Sequence, residues 1–190
     1  TIMGNVISNQ VNKEYTEFNI SIINEPNEFK TFLNNDKWEV HYNNDLSLEE
    51  GKKPSSEKFL HIEIYKQRPD INYIIHVHAP YLSSFASAGK DLMAPIMAEN
   101  VFYFGQIPLA EYGLPGSIDL VEKTALYFKD YDAVLMANHG FIVGDKTIKD
   151  AFLKLELAES YAQVVLNTKI MGGAVLFSPA QVDEINSLKK

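Results

Sequence analysis

Three of the five histidines in this chain stand at or just beyond the ends of apolar segments. His76 and His78 close Tyr73-Ile74-Ile75-His76-Val77-His78, and His139 follows Ala133-Val134-Leu135-Met136-Ala137-Asn138. On an extended segment side chains alternate, so His76 and His78 point to the same side. A third imidazole brought in from the Asn138-His139-Gly140 turn would give three nitrogens and one open position. Catalytic zinc needs that arrangement: three ligands fix the ion and the vacancy takes water or substrate. A His-x-His pair is equally compatible with hydrogen-bonded core histidines, and spacing alone leaves both readings open. The chain has no cysteine, so a metal must rest on His, Asp or Glu, and disulfides and thiol nucleophiles are excluded.

The elements that must carry these residues follow from periodicity. Phe18–Ile22 and Trp38–Tyr42 alternate like strands, with Asn34-Asn35-Asp36 as turn chemistry between them. A helix is expected from Pro54-Ser55-Ser56, capped by serine, with Phe59, Leu60, Ile62 and Ile64 on its apolar side and a stop at Arg68-Pro69. Tyr73–His78 reads as a buried strand, Pro80–Ala88 as a helix ended by Gly89, and 91–116 as loops with short strands. Ser117 caps a further helix, Ala133–Met136 is a second buried strand, and a long helical pattern runs from Asp145 to Gly172-Gly173. Strands alternate with helices without repeats or low-complexity linkers, which points to one α/β domain over 190 residues. Ligands in such folds collect at strand ends, where His76, His78 and His139 fall.

Composition narrows the partners. Lys and Arg total 17 against 25 Asp and Glu, a formal charge of −8, which is no footprint for nucleic acid or an anionic membrane. Arg68 is the only arginine, so two-pronged clamping of phosphate or carboxylate is nearly unavailable. Lysines, hydroxyls and helix N-termini must hold any anion. No run of eighteen apolar residues and no basic-then-apolar leader occurs, so the chain is read as a soluble cytoplasmic protein. A cupin would place a glutamate soon after His78, and Pro80–Ser83 offers none. An amidohydrolase barrel needs about 250 residues.

Taken in order, Lys53-Pro54-Ser55-Ser56-Glu57, His61, Tyr65-Lys66-Gln67-Arg68-Pro69-Asp70, Ile75-His76-Val77-His78 and Asn138-His139-Gly140 resemble the class II aldolase/adducin superfamily, from about Asn19 to Lys190. The resemblance implies a three-layer α/β/α domain with a central mixed, largely antiparallel sheet, its leading helix missing or degenerate here. It also implies a homotetramer with active sites between subunits, acting on a small sugar phosphate. By the same resemblance His76, His78 and His139 bind one divalent ion per subunit, zinc in the first place and Mn²⁺ or Co²⁺ otherwise. Glu57 takes the general-base position, where glutamate is similar to the aldolases and aspartate to the 4-epimerases. The plain alternative for Glu57 is an acid in the first turn of a helix. His61, one turn on, is read as a supporting or core residue.

Ser55 and Ser56 match family residues that hold the substrate phosphate, with Lys52 or Lys53 adding charge. Asn19 matches the asparagine of the family's Gly-Asn-Ile-Ser segment, with Phe18 where glycine is expected; Gly4-Asn5-Val6-Ile7-Ser8 is a competing match. Glu99 and Tyr103 lie where the family's residues borrowed from a neighbouring subunit fall, and Tyr112 is a further candidate. The chain departs from the family at its phosphate loop, where Lys30–Asn35 stands instead, and in a C-terminal tyrosine-bearing tail. Tyr103–Pro108 is similar to the epimerases, yet their catalytic aspartate falls near Val101. The implied activity is reversible aldol cleavage of a ketose phosphate. Epimerisation, dehydration or decarboxylation at the same site, and a non-catalytic adducin-like assembly role, are the alternatives.

Overall fold

The computed structural model describes residues 3–12, 17–23, 40–42 and 56–189, the first three stretches as backbone. Their strands are β1 (Met3–Asn12), β2 (Glu17–Ile23), β3 (Val40–Tyr42), β4 (Tyr73–His78), β5 (Leu109–Ala110), β6 (Ala133–Met136) and β7 (Gly140–Asp145). Among the described residues they form one sheet in the order β3-β2-β1-β4-β7-β6-β5. Every pairing is antiparallel except β5 with β6. The sheet is therefore mixed and largely antiparallel, as the resemblance implied.

Alternation along the central strands sends side chains to two separate cores. Ile75 and Val77 of β4, Leu135 of β6 and Phe141 of β7 pack beneath α2 (Pro80–Ser87) and α5 (Ile148–Ile170). Ile74, Val134, Met136 and Ile142 point the other way, beneath α1 (Lys58–Gln67) and α4 (Ile118–Ala125). Strands covered on both faces are largely apolar, which is why β6 and, apart from its two histidines, β4 are legible as hydrophobic runs. Two short helices complete the α-helices among the described residues, α3 (Ala98–Tyr103) and α6 (Pro179–Asn186). No helix among the described residues is long and apolar enough to cross a membrane.

Several expectations need correction. α1 begins at Lys58 with Glu57 as its N-cap and without a side-chain cap. Ser56 precedes the helix instead of capping it, and Phe59 is exposed while Leu60, Ile62 and Ile64 are buried. The long helix starts at Ile148, capped by Thr147, because Asp145 closes β7 and pairs with Lys154 at 2.8 Å. Ser117 caps α4 as expected, accepting from Leu120 N at 3.2 Å. β1, β7, α3 and α6 were not foreseen.

Candidate metal centre

His76 and His78 share the β4 face that carries Ile74, so their rings turn toward the α1/α4 layer. His76 is buried, and His78 reaches solvent at the strand end. Their ring centroids lie 4.9 Å apart, and the His139 ring is 4.8 Å from His76 and 5.2 Å from His78. One ligand-type nitrogen from each residue falls within 4.8 Å of the other two. An ion centred among three such atoms would sit within about 2.8 Å of each, and sub-ångström side-chain shifts bring that to the 2.0–2.1 Å of a zinc–imidazole bond.

A tight turn delivers His139. Asn138 takes a left-handed φ of 55°, and its N–H donates to Ala86 O at 3.2 Å. The His139 N–H donates to Met136 O at 3.0 Å, closing the β6–β7 hairpin. Gly140 then passes directly against the other two ligands. A Cβ there would stand 2.5 Å from Val77 O, 2.7 Å from His78 Cδ2 and 3.3 Å from His76 Cε1. Only a residue without a side chain lets the third histidine come this close.

His76 and His139 are prepared as neutral ligands. His76 Nδ1 lies 3.0 Å from Phe141 O, and a carbonyl only accepts, so Nδ1 carries the proton and Nε2 keeps its lone pair. That Nε2 is buried without a hydrogen-bond partner, as is His139 Nδ1. Such orphaned atoms are costly unless something occupies the space between them. Burial pushes His139 down to about 4, helped by the nearby His78. Burial also holds His76 well below the ordinary imidazole range, with His139, His78 and His61 adding to it. The donor set of three imidazoles with an exposed side at His78 fits a divalent ion with an open position.

Glu57 opens α1, the helix laid over this same face. Burial raises its carboxyl above the ordinary value, partly offset by hydrogen bonds from the Gly116 backbone and the Ser56 side chain. Ser56 thus serves Glu57, and Gly116, at φ +77°, brings the loop before α4 against it; a Cβ there would lie 3.0 Å from Ser56 Cβ. Sequence reading missed Gly116, although the glycine directly before the capping Ser117 marked the turn. His61 is buried, pushed down to about 3 by burial, and close enough to His76 to shift it. It occupies the supporting position expected of it.

The other candidates separate. Glu99 and Tyr103, on α3, line a cavity of about 300 Å³ with Asp145, Asp150 and Lys154. Asp145 is the far end of β7 from Gly140, so within one chain these two residues lie away from the histidines. Tyr103 is 53% exposed and Tyr112 49%. Ser55, Lys52 and Lys53, the Asn34–Asp36 turn and the Lys30–Asn35 stretch lie outside the described residues. Asn19 lies on β2 opposite Asn9, one strand removed from β4. In β1, by contrast, Met3 pairs with His78 and Val6 with His76, with an irregularity between them, so Gly4 and Asn5 run alongside the histidine strand. The competing Gly4–Ser8 match is the one the register sets beside the site. Arg68 is committed to structure, with hydrogen bonds to Asp70, Asp132 and the Phe128 carbonyl.

The structure thus combines an α/β fold with three histidines that converge on one face of the sheet and could hold a metal ion. The profile of the family described as Class II Aldolase and Adducin N-terminal domain matches residues 19–166, and the chain belongs to that family. A 5-deoxy-D-ribulose 1-phosphate aldolase of Bacillus thuringiensis serovar kurstaki is 36% identical over 144 residues, 75% of this chain and 65% of that one. A 3-oxo-tetronate 4-phosphate decarboxylase of Pectobacterium atrosepticum is 32% identical over 119 residues, 60% of this chain and 55% of that one. The chain thus spans less than two thirds of these relatives. Among solved structures an L-fuculose 1-phosphate aldolase superposes with a TM-score of 0.81 at 26% identity, over 98% of this chain and 85% of that one.

Two outcomes follow. Gly140→Ala forces the hairpin off Val77, so it should destabilise the protein by about 1–3 kcal/mol in urea titrations and weaken metal uptake; an unchanged midpoint would contradict the close approach. Because the folded pKa values of His61 and His139 lie below the unfolded value of about 6.5, the unfolded state binds protons first. Stability of the metal-free protein should therefore fall as pH drops from about 6.5 toward 4, read from denaturation midpoints across that window.

Proposed function

We propose that this chain is a zinc-dependent class II aldolase that reversibly cleaves a ketose phosphate between the carbons α and β to its carbonyl. The observation that supports this best is the orphaned, tautomer-fixed Nε2 of His76 beside two further imidazoles, on the face that Glu57 overlooks. His76, His78 and His139 would hold the ion, which would supply Lewis-acid stabilisation of the negative charge that bond cleavage leaves on the carbonyl fragment. Mn²⁺ or Co²⁺ suits the same nitrogens.

In the cleavage direction the β-hydroxyl loses its proton and becomes an aldehyde. The electron pair of the broken carbon–carbon bond passes to the ketone fragment, which takes up a proton at carbon. Glu57, with its carboxyl raised by burial, is the group suited to exchange that carbon-bound proton. The proton at the aldehyde oxygen falls to Tyr103 or Glu99 of a neighbouring copy. Their distance from the histidines within one chain and the exposure of Tyr103 support a site completed between subunits, and a homotetramer is the assembly we assign. Ser55 and Ser56, the two residues before Glu57 in the sequence, are assigned to the substrate phosphate. Of the two asparagines considered, Asn5 has the better register for the substrate. Phosphorylated sugars are retained inside cells, which suits a cytoplasmic enzyme.

Decarboxylation is the second reading, favoured by the Pectobacterium relative. Loss of CO₂ from a 3-oxo acid leaves the same kind of anion and needs the same ion. The test incubates purified protein with 5-deoxyribulose 1-phosphate, fuculose 1-phosphate and a 3-oxo-tetronate 4-phosphate. Release of dihydroxyacetone phosphate from a ketose phosphate, lost on chelation and in His78→Ala, is the expected result. Glu57→Gln should retain metal but lower turnover about 10²–10⁴-fold. Evolution of CO₂ alone, or an epimer alone, would overturn the aldolase reading. A protein inert with every substrate after zinc or manganese is supplied would support an assembly module instead.

A further inference from the structure

The helix that follows His78 begins without a cap of its own. Its N-cap is Ala79, which has no side chain able to accept, and Pro80 has no N–H. The first N–H groups needing a partner are those of Tyr81 and Leu82. Both donate across to one carboxylate, Tyr81 N to Glu159 Oε1 and Leu82 N to Glu159 Oε2, each at 2.9 Å. Glu159 sits within α5, 77 and 78 residues away in sequence. Its charge and both oxygens complement the positive end of α2.

The other end of α2 reaches the second ligand-bearing segment. Ala86 O accepts from Asn138 N at 3.2 Å, one residue before His139. α2 is thus a rod of about 12 Å fixed to His78 through Ala79 and hydrogen-bonded to the His139 turn. Ala79, Leu82 and Ala86 are wholly buried, so the rod has no room to slide once its start is pinned.

We infer that Glu159 is a positioning residue for the metal centre: by clamping the start of α2 it fixes the spacing of His78 and His139. This rests on the metal reading above, though not on the choice of reaction. Its carboxylate touches no ligand and acts only through the helix. With bonds of about 2.0–2.1 Å to satisfy, displacement of two of three imidazoles costs affinity, roughly ten- to a hundredfold for supports of this kind.

The test titrates chelator-stripped protein with Co²⁺ and follows the visible absorption of the bound ion. Wild type, Glu159→Gln, Glu159→Ala and, as a control, Glu156→Gln on an exposed turn of the same helix are compared. Circular dichroism melts of the metal-free forms run alongside. Glu159→Gln keeps the shape of the side chain and one accepting oxygen, so it decides the matter if Glu159→Ala does not fold. The expected result is a Co²⁺ dissociation constant raised about tenfold or more in Glu159→Gln, with Glu156→Gln unchanged. A constant within twofold of wild type, whatever happens to the melting temperature, would reduce Glu159 to a purely structural cap and overturn the inference. Wild type that binds no Co²⁺ would overturn the metal reading and this inference together.

Discussion

Three imidazoles crowd the end of β4 with ring centroids about 5 Å apart, and burial disfavours a positive charge on His76 and His139. Protonating either of these two would place a cation in a poorly solvated pocket beside the other rings. Burial holds both below the ordinary imidazole range, and the Phe141 carbonyl fixes the Nδ1 proton of His76. The result is a set of lone pairs with no protein partner, which is a cost to the folded chain until a cation takes them. Much of the architecture exists to hold the rings in that arrangement. The β6–β7 hairpin, the bare backbone at Gly140 and the α2 rod act on the ligands, while α1 and the Gly116 loop hold Glu57.

The sheet separates stability from chemistry. The face under α2 and α5 is filled with aliphatic and aromatic side chains packed against β4, β6 and β7. The face under α1 and α4 has its own apolar core and also accommodates His76, His61 and Glu57, all buried. Because strand side chains alternate, one short strand serves both: Ile75 and Val77 anchor one layer while His76 and His78 project into the other. α2, on the far face, links the two functions through its ends.

Much of this could be read from residue order, for identifiable reasons. β4, β6, α2, α4 and α5 carry strong hydrophobic runs or helical periodicity with clear stops. β7 escaped because its apolar core, Phe141-Ile142-Val143, stands between two glycines that read as breakers. In the fold both are close approaches: Gly140 to β4, and Gly144 to Ile71, where a Cβ would meet a methyl at 2.9 Å. β1 escaped because Asn5, Asn9 and Asn12 weaken its strand character. The histidine triad was suggested by spacing and made specific only by resemblance, since no local rule brings His139 to His76 across 62 intervening residues. Glu159 gave no signal, because a helix glutamate whose partners are the backbone of another helix looks like any surface charge.

The most direct measurement is anomalous diffraction at the zinc absorption edge from crystals of the protein grown with zinc. The account predicts one strong peak per chain, about 2.0–2.1 Å from a nitrogen of each of His76, His78 and His139, with His76 Nδ1 still on the Phe141 carbonyl. Density with no anomalous peak there, and the three imidazoles turned away to bond water or protein oxygens, would contradict it.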